Sequence, residues 1–468
     1  MKGTRLNEIL SSLSKEEFLR LNEYLHSQYL NKNKQIILFY YFLSAKESHP
    51  DYLNISRREI FEYIYKRQDF NHDKYLKVSS DFVKAIENFL LYELRAGRDL
   101  QTKRDLLEIA GNRELPKTFA KYSGEIRSKT ENEINKDLEF YMTEYDFKIE
   151  SILYSLNNKK FDLEKSILGL NSSVNTIIVH LKLELMLKLF HISGKKNKIW
   201  LDKEVIDFIK KNKKNLIEFH PMIYQRSRIL KMFENSDVDI YKQVRSFVEN
   251  NSDKLNQENL IYIYEELMAF CNLMGNEYFK KEEFNLIKSI EEKSLLEKSN
   301  FDYIYFLKII DTALNENDAY WAESFLNKYS EKIDPEYKES TVNLAMASIY
   351  IYRQKFNEAL EHISRVSVLN EYFYLNSKIL SLTVFYELDD MISVNYGIEA
   401  FSAYIRRKKI TTDSDIKVYK TFLSVFKELI KFKSEKNKSI DKKNLLTKLE
   451  NSILIINKDW FIRKIADK

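Results

Sequence analysis

A chain of 468 residues that carries 8 glycines and 4 prolines has few ways to turn sharply. Average usage would give about 55 of the two together at this length. Hairpins and sheet corners rely on Gly, Asn-Gly and Pro turns, so their scarcity predicts an all-α protein. Apolar residues make up 44%, with 30 Phe and 31 Tyr, so material for cores is ample despite 31% charge. The length exceeds one small core and predicts two or three domains or an extended repeat array.

Helix signals begin at once. In "LSKEEF", Ser14 is placed to cap a helix and Glu17 to answer it, with Leu13 and Phe18 at the staple positions. "ISRREI" repeats the grammar with Ser56, Glu59, Ile55 and Ile60. A long helix is expected over about Tyr75–Leu94, with Val78, Phe82, Val83, Ile86, Phe89 and Leu90 on one stripe. Residues 1–100 therefore read as a helical N-terminal domain. The clearest breakers, Gly97, Gly111 and Pro116, place a boundary near 97–117. Beyond it, helical stretches alternate with short polar turns at 157–160, 193–198, 210–215 and 256–259. Residues 118–402 are expected to form a helical-hairpin repeat array, an α-solenoid. A helical segment over 403–468 closes the chain.

The strongest internal signal is "AMASIYIYRQKFNEALEHISRV". Met346, Ala347 and Tyr350 fall on one face of a first helix expected over about Thr341–Tyr352. After the turn "RQK", Phe356, Ala359, Ile363 and Val366 continue that face in a second helix. This pattern resembles the tetratricopeptide repeat. Three family positions differ: the first aromatic is Asn343, the turn glycine is Gln354 and the closing proline is Glu371. One period of 34 residues later, Leu380 and Ser381 take the large-small pair, Ser393 the close-contact place and Ala400 the last small place. Upstream, Ala322 lies in a second helix, and Asp334-Pro335 closes that unit. The resemblance covers about 303–402. It implies a concave surface that holds an extended peptide or a helix of another protein. Helical direction places Asn343, Ser348, Tyr350, Ser377 and Lys378 on that inner surface.

Signatures of chemistry are missing from the sequence. There is no P-loop, GxGxxG, GxSxG, HExxH or CxxC. His180 and His191 share a helix face, but the helical rise separates them by about 16 Å, too far for one metal ion. His180 and Glu184 read as a pair on a helix surface. Adjacent acids such as Glu265–Glu266 and Asp389–Asp390 point apart rather than converging as an acid–base pair would. The single cysteine, Cys271, excludes an intrachain disulfide and reads as a buried, inert thiol. No cofactor and no small-molecule substrate is expected.

The formal charge is +5. Residues 403–468 hold 18 basic and 8 acidic side chains, against 57 and 62 in the rest. A mildly acidic body thus carries a basic C-terminal segment, whose "RRKK" (Arg406, Arg407, Lys408, Lys409) is suited to phosphate or an acidic partner. "KFKSEKNK" and "DKKN" follow in the same segment. The longest apolar run, Ile36–Leu43, is far short of the roughly 20 residues that cross a bilayer. With no signal-peptide pattern at the start, the chain is expected to be cytoplasmic. The function expected is that of a non-enzymatic scaffold or adaptor that binds protein or peptide partners through the repeat surface. The alternative is nucleic-acid binding through the basic segment.

Overall fold

The structure is a computed structural model. It describes residues 4–45, 55–66, 68–131, 133–157, 163–193, 202–296, 301–407, 413–434, 442, 445–447, 449 and 456–466. Among these residues there is no β-strand, and one isolated parallel bridge joins Phe301 to Ile333. The chain divides into two compact units, Met1–Leu230 and Lys231–Lys468. None of the described helices is long and apolar enough to cross a membrane.

The first unit begins with α1 (Arg5–Ser12), α2 (Lys15–His26), α3 (Lys34–Ser44), α4 (Arg57–Tyr65) and α5 (His72–Ala96). Ser14 and Glu17 form the expected reciprocal cap on α2, and Ser56 caps α4 by accepting from Arg58 N–H. The predicted stripe on α5 is buried: Val78, Phe82, Val83, Ile86 and Phe89 join Leu21, Phe39 and Phe61 in a core confined to residues 6–90. The segment rich in breakers is itself helical. It forms α6 (Asp99–Asn112), which holds Gly111, and α7 (Pro116–Glu131), which opens on Pro116. A separate small core of Leu107, Ala110, Phe119, Ile126 and Phe147 follows.

The unit continues with α8 (Leu138–Asn157), α9 (Leu163–Ser193), α10 (Lys203–Lys211), α11 (Lys213–Phe219) and α12 (Pro221–Asn235), the last of which contains the division point. The "GKKNK" stretch lies outside the described residues. His180 corrects one expectation. It is 2% exposed, not at a helix surface. Its ring packs 5.5 Å from Tyr141 and lies 2.9 Å from an Arg226 guanidinium nitrogen.

The second unit contains α13 (Val238–Asn250), α14 (Gln257–Met274), α15 (Glu277–Glu292), α16 (Tyr303–Asn315), α17 (Ala319–Tyr329), α18 (Pro335–Tyr352) and α19 (Phe356–Ser364). It ends with α20 (Glu371–Glu387), α21 (Met391–Arg407), α22 (Asp413–Ser434) and α23 (Lys458–Ala466). The helices pack as neighbouring pairs: α14 on α15, α16 on α17, α18 on α19, α20 on α21. Each second helix also packs on the next first helix, and the first helices α16, α18 and α20 pack in succession. This packing is compatible with a helical repeat.

Backbone geometry repeats more faithfully than sequence. Between the two helices of each of these four pairs stands one residue at positive φ: Gly275 (60°), Asn317 (61°), Gln354 (59°) and Asp389 (60°); Ser236 (51°) stands likewise between α12 and α13, and Ser294 (55°) makes such a turn between α15 and α16. After Ser236, Asn317, Gln354 and Asp389, the next N–H reaches back five positions. Asp237 bonds Met232 O at 3.0 Å, Asp318 bonds Ala313 O at 3.0 Å, Lys355 bonds Tyr350 O at 2.9 Å and Asp390 bonds Phe385 O at 3.0 Å. That bond satisfies carbonyls a helix end would otherwise leave bare, and it needs the left-handed residue. Apart from Ser294, these turns recur at roughly 40-residue intervals, the scale of helix-pair repeats.

Small residues set the close approaches within pairs. Ala322 on α17 and Ala359 on α19 are fully buried, as their spacing predicts. On α21 the place belongs to Gly397, where an added Cβ would lie 2.8 Å from Leu382 Cδ2. A 34-residue shift had pointed to Ser393 and Ala400, which are half-buried and exposed. Asp334-Pro335 also differs from expectation. Asp334 caps α18 and Pro335 is its first residue, so the dipeptide opens a helix rather than closing the preceding unit. Residues of α20–α23 share a core around Phe422, Phe426, Trp460 and Phe461.

Candidate binding cleft

On α16, "LKIIDTALN" alternates buried and open faces at helical spacing. Phe306, Ile309, Ile310 and Ala313 are buried, while Lys308, Asp311, Thr312 and Asn315 point away from that core. Between α15, α16 and α20 a cleft of about 400 Å³ opens, lined by these four residues, Ile304 and Glu316 of α16, Lys280 and Glu283 of α15, and Tyr372 of α20.

The charges in this cleft are unequally neutralised. Lys308 Nζ lies 2.9 Å from Glu283 Oε1 and donates to Asn272 Oδ1 at 3.0 Å, and Asn272 Nδ2 donates to Glu283 Oε1 at 2.9 Å. Lys280 pairs with Glu277 at 2.9 Å and with Asp459 of α23 at 3.1 Å. Asp311 has the Ser348 hydroxyl of α18 nearby and no ion-pair partner among the described residues. Its side chain is open to solvent, yet protein surrounds the opening closely enough to push its carboxyl from 3.8 up to about 6.

Tyrosines complete the walls. Burial raises the Tyr372 phenol well above its ordinary range, with the Asp311 charge adding to the rise. Tyr305 is pushed to about 12, first by burial and then by Glu265 and Glu283. The half-buried Tyr372 leads to an aromatic stack in which Tyr303 lies 5.5 Å from Tyr372, 4.7 Å from Tyr337 and 5.0 Å from Phe373. A second cleft of about 430 Å³ runs past Tyr303, Lys332, Asp334 and Tyr337.

The residues anticipated for the inner surface separate. Ser348 reaches the cleft through Asp311. Asn343 is buried, and its Oδ1 lies 2.8 Å from His362 Nδ1 of the paired helix. Tyr350 stacks on the same His362 ring at 5.3 Å. Ser377 donates back to Phe373 O at 2.7 Å. Lys378 Nζ sits 5.5 Å over Tyr374, itself stacked on Tyr404 of α21. Arg406 and Arg407 are exposed in the last turn of α21, where a cation also favours the helix dipole. Lys408 and Lys409 lie outside the described residues. So do parts of "KFKSEKNK" and "DKKN", though Lys433 pairs with Asp389 and Lys464 bonds Glu387 at 2.8 Å.

Sequence reasoning passed over Asp311, Lys308 and Thr312. The signal was the polar row at i, i+3, i+4 and i+7 on α16, visible as "KIIDTALN" but carrying no motif. Cys271 is buried, its thiol is pushed to about 12 by burial, and its Sγ lies 3.4 Å from Tyr241 OH. Among the described residues no group of His, Cys, Asp and Glu is arranged to hold a metal ion. The chain matches no protein-family model, no curated protein and no solved structure.

Proposed function

We propose that this protein is a non-enzymatic adaptor of tetratricopeptide-like build, which captures an extended segment of a partner protein along the first helices α14, α16, α18 and α20. The observation that carries this reading is the Asp311 cleft. It is an opening of about 400 Å³ lined by helical residues, Tyr372 among them. A peptide gains from such a preformed surface, where an aromatic ring can bury one of its side chains at low entropic cost. Nucleic-acid binding through the C-terminal cations is the weaker reading, because Lys433 and Lys464 are held in internal ion pairs.

The test is selection of binders from a random peptide display library on the full-length chain, followed by titration against Thr312→Trp, which fills the cleft. The adaptor reading expects affinity to fall about tenfold or more in that variant, with a shallow salt dependence. Binding of single-stranded oligonucleotides with a steep salt dependence, untouched by Thr312→Trp, would sink it.

A further inference from the structure

Within the cleft the two lysines are already matched. Lys308 is held by Glu283 and Asn272, and Lys280 by Glu277 and Asp459. Asp311 is different. Its exposed side chain lines the opening together with Tyr372, with the Ser348 hydroxyl nearby. An unpaired carboxylate at the mouth of a cleft is stabilised by an opposite charge within a few ångströms. The chain supplies no such charge among its described residues, and the adjacent phenol ring offers an additional attraction to a cation.

Resting on the adaptor reading, we propose that the occupant of this cleft is a protein segment bearing a lysine or arginine, whose cationic head pairs with Asp311 and lies against the Tyr372 ring. The fit is one of charge and of reach. The opening is too narrow for a folded domain and wide enough for one extended side chain with its neighbours. The stem of the basic residue runs over Ile304 at the cleft edge, which is exposed and apolar. Seating the cation lowers the carboxyl toward its ordinary value, so the complex takes up fewer protons than the free protein.

The experiment uses the full-length protein and peptides selected on it. Each peptide is paired with versions in which one Lys at a time becomes norleucine or one Arg citrulline, and all are titrated against wild type, Asp311→Asn and Thr312→Trp. The expected result is a loss of about tenfold on neutralising one basic residue, an equal loss in Asp311→Asn, and no further loss when both are combined. Peptides that need the open cleft but bind equally with norleucine or citrulline would overturn this inference and leave the adaptor reading standing. Binding unaffected by Thr312→Trp would overturn both. The paired peptides test wild-type protein directly, so the outcome does not depend on how well a variant folds.

Discussion

Asp311 on α16 lies near the Ser348 hydroxyl of α18, so two successive first helices meet at the cleft. The hydroxyl favours the ionised carboxylate, while the surrounding protein opposes it more strongly and holds the carboxyl at about 6. The folded state therefore binds more protons than the unfolded one between 3.8 and about 6. Stability from this group is complete below 3.8 and is lost as pH rises through 6. Asp311→Asn should stabilise the protein at pH 8 by about 0.5–1 kcal/mol, a figure discounted because the side chain is open to solvent. At pH 3.5 the gain should vanish. Thermal unfolding of both proteins at the two pH values checks the sign.

Acid acts in the opposite sense on the first unit. Burial, with Arg226 close by, depresses His180 from 6.5 to about 4, against smaller opposing effects of Glu184 and Asp137. Burial does the same to His220, which lies 3.2 Å from Tyr141 OH and near Lys136. The unfolded chain binds more protons in this window. Stability is therefore full above 6.5 and falls as pH drops toward 4. His180 contributes on the order of 3 kcal/mol to that fall. Denaturant unfolding of the first unit's signals from pH 7 to 4.5 should show it, and His180→Gln should flatten the slope. An unchanged slope would mean that His180 is not buried neutral.

The left-handed turns make a prediction about backbone strain. Gln354 holds φ at 59°, a conformation that disfavours side chains with a Cβ. Gln354→Gly should stabilise the protein by about 0.5–1 kcal/mol, and Gln354→Val should destabilise it by more than that. Equal midpoints for the two variants in urea would contradict the turn geometry.

Ala359 is fully buried where α19 meets α18. Enlarging it should force the helices apart. Ala359→Leu is expected to cost about 1–3 kcal/mol, while Ala400→Leu on the exposed side of α21 should stay within about 0.5 kcal/mol. Urea midpoints for the two variants distinguish a packing site from a surface one.

These cases also mark what the sequence makes legible. The shortage of Gly and Pro predicts helices, and the described residues hold no strand; the caps at Ser14 and Ser56 announce helix starts, because both depend on local backbone chemistry. The stripe of α5 and the alanines Ala322 and Ala359 were readable for the same reason, since helical periodicity translates directly into a buried face. The recurring turns were harder to see. They need a backbone conformation that Ser, Gly, Asn, Gln and Asp all adopt here, so residue identity hides the recurrence. His180 was misplaced because whether a helix face meets solvent depends on what packs there, and Arg226 lies 46 positions away. Asn343 and Tyr350 make contacts that the sequence did not announce. Helical direction put them inward, but His362 of the paired helix claims both. Asp311 escaped notice because its character comes from Ser348 and Tyr372, on two other helices.

The central claim is that the Asp311 cleft, and not the basic C-terminal segment, is where this protein meets its partner. The most direct measurement is affinity of display-selected peptides for three full-length proteins: wild type, Thr312→Trp and the double variant Arg406→Glu/Arg407→Glu. The account predicts a loss of about tenfold or more with Thr312→Trp and a change under about threefold with the double variant. The reverse pattern, with binding kept by Thr312→Trp and lost in the double variant, would contradict it.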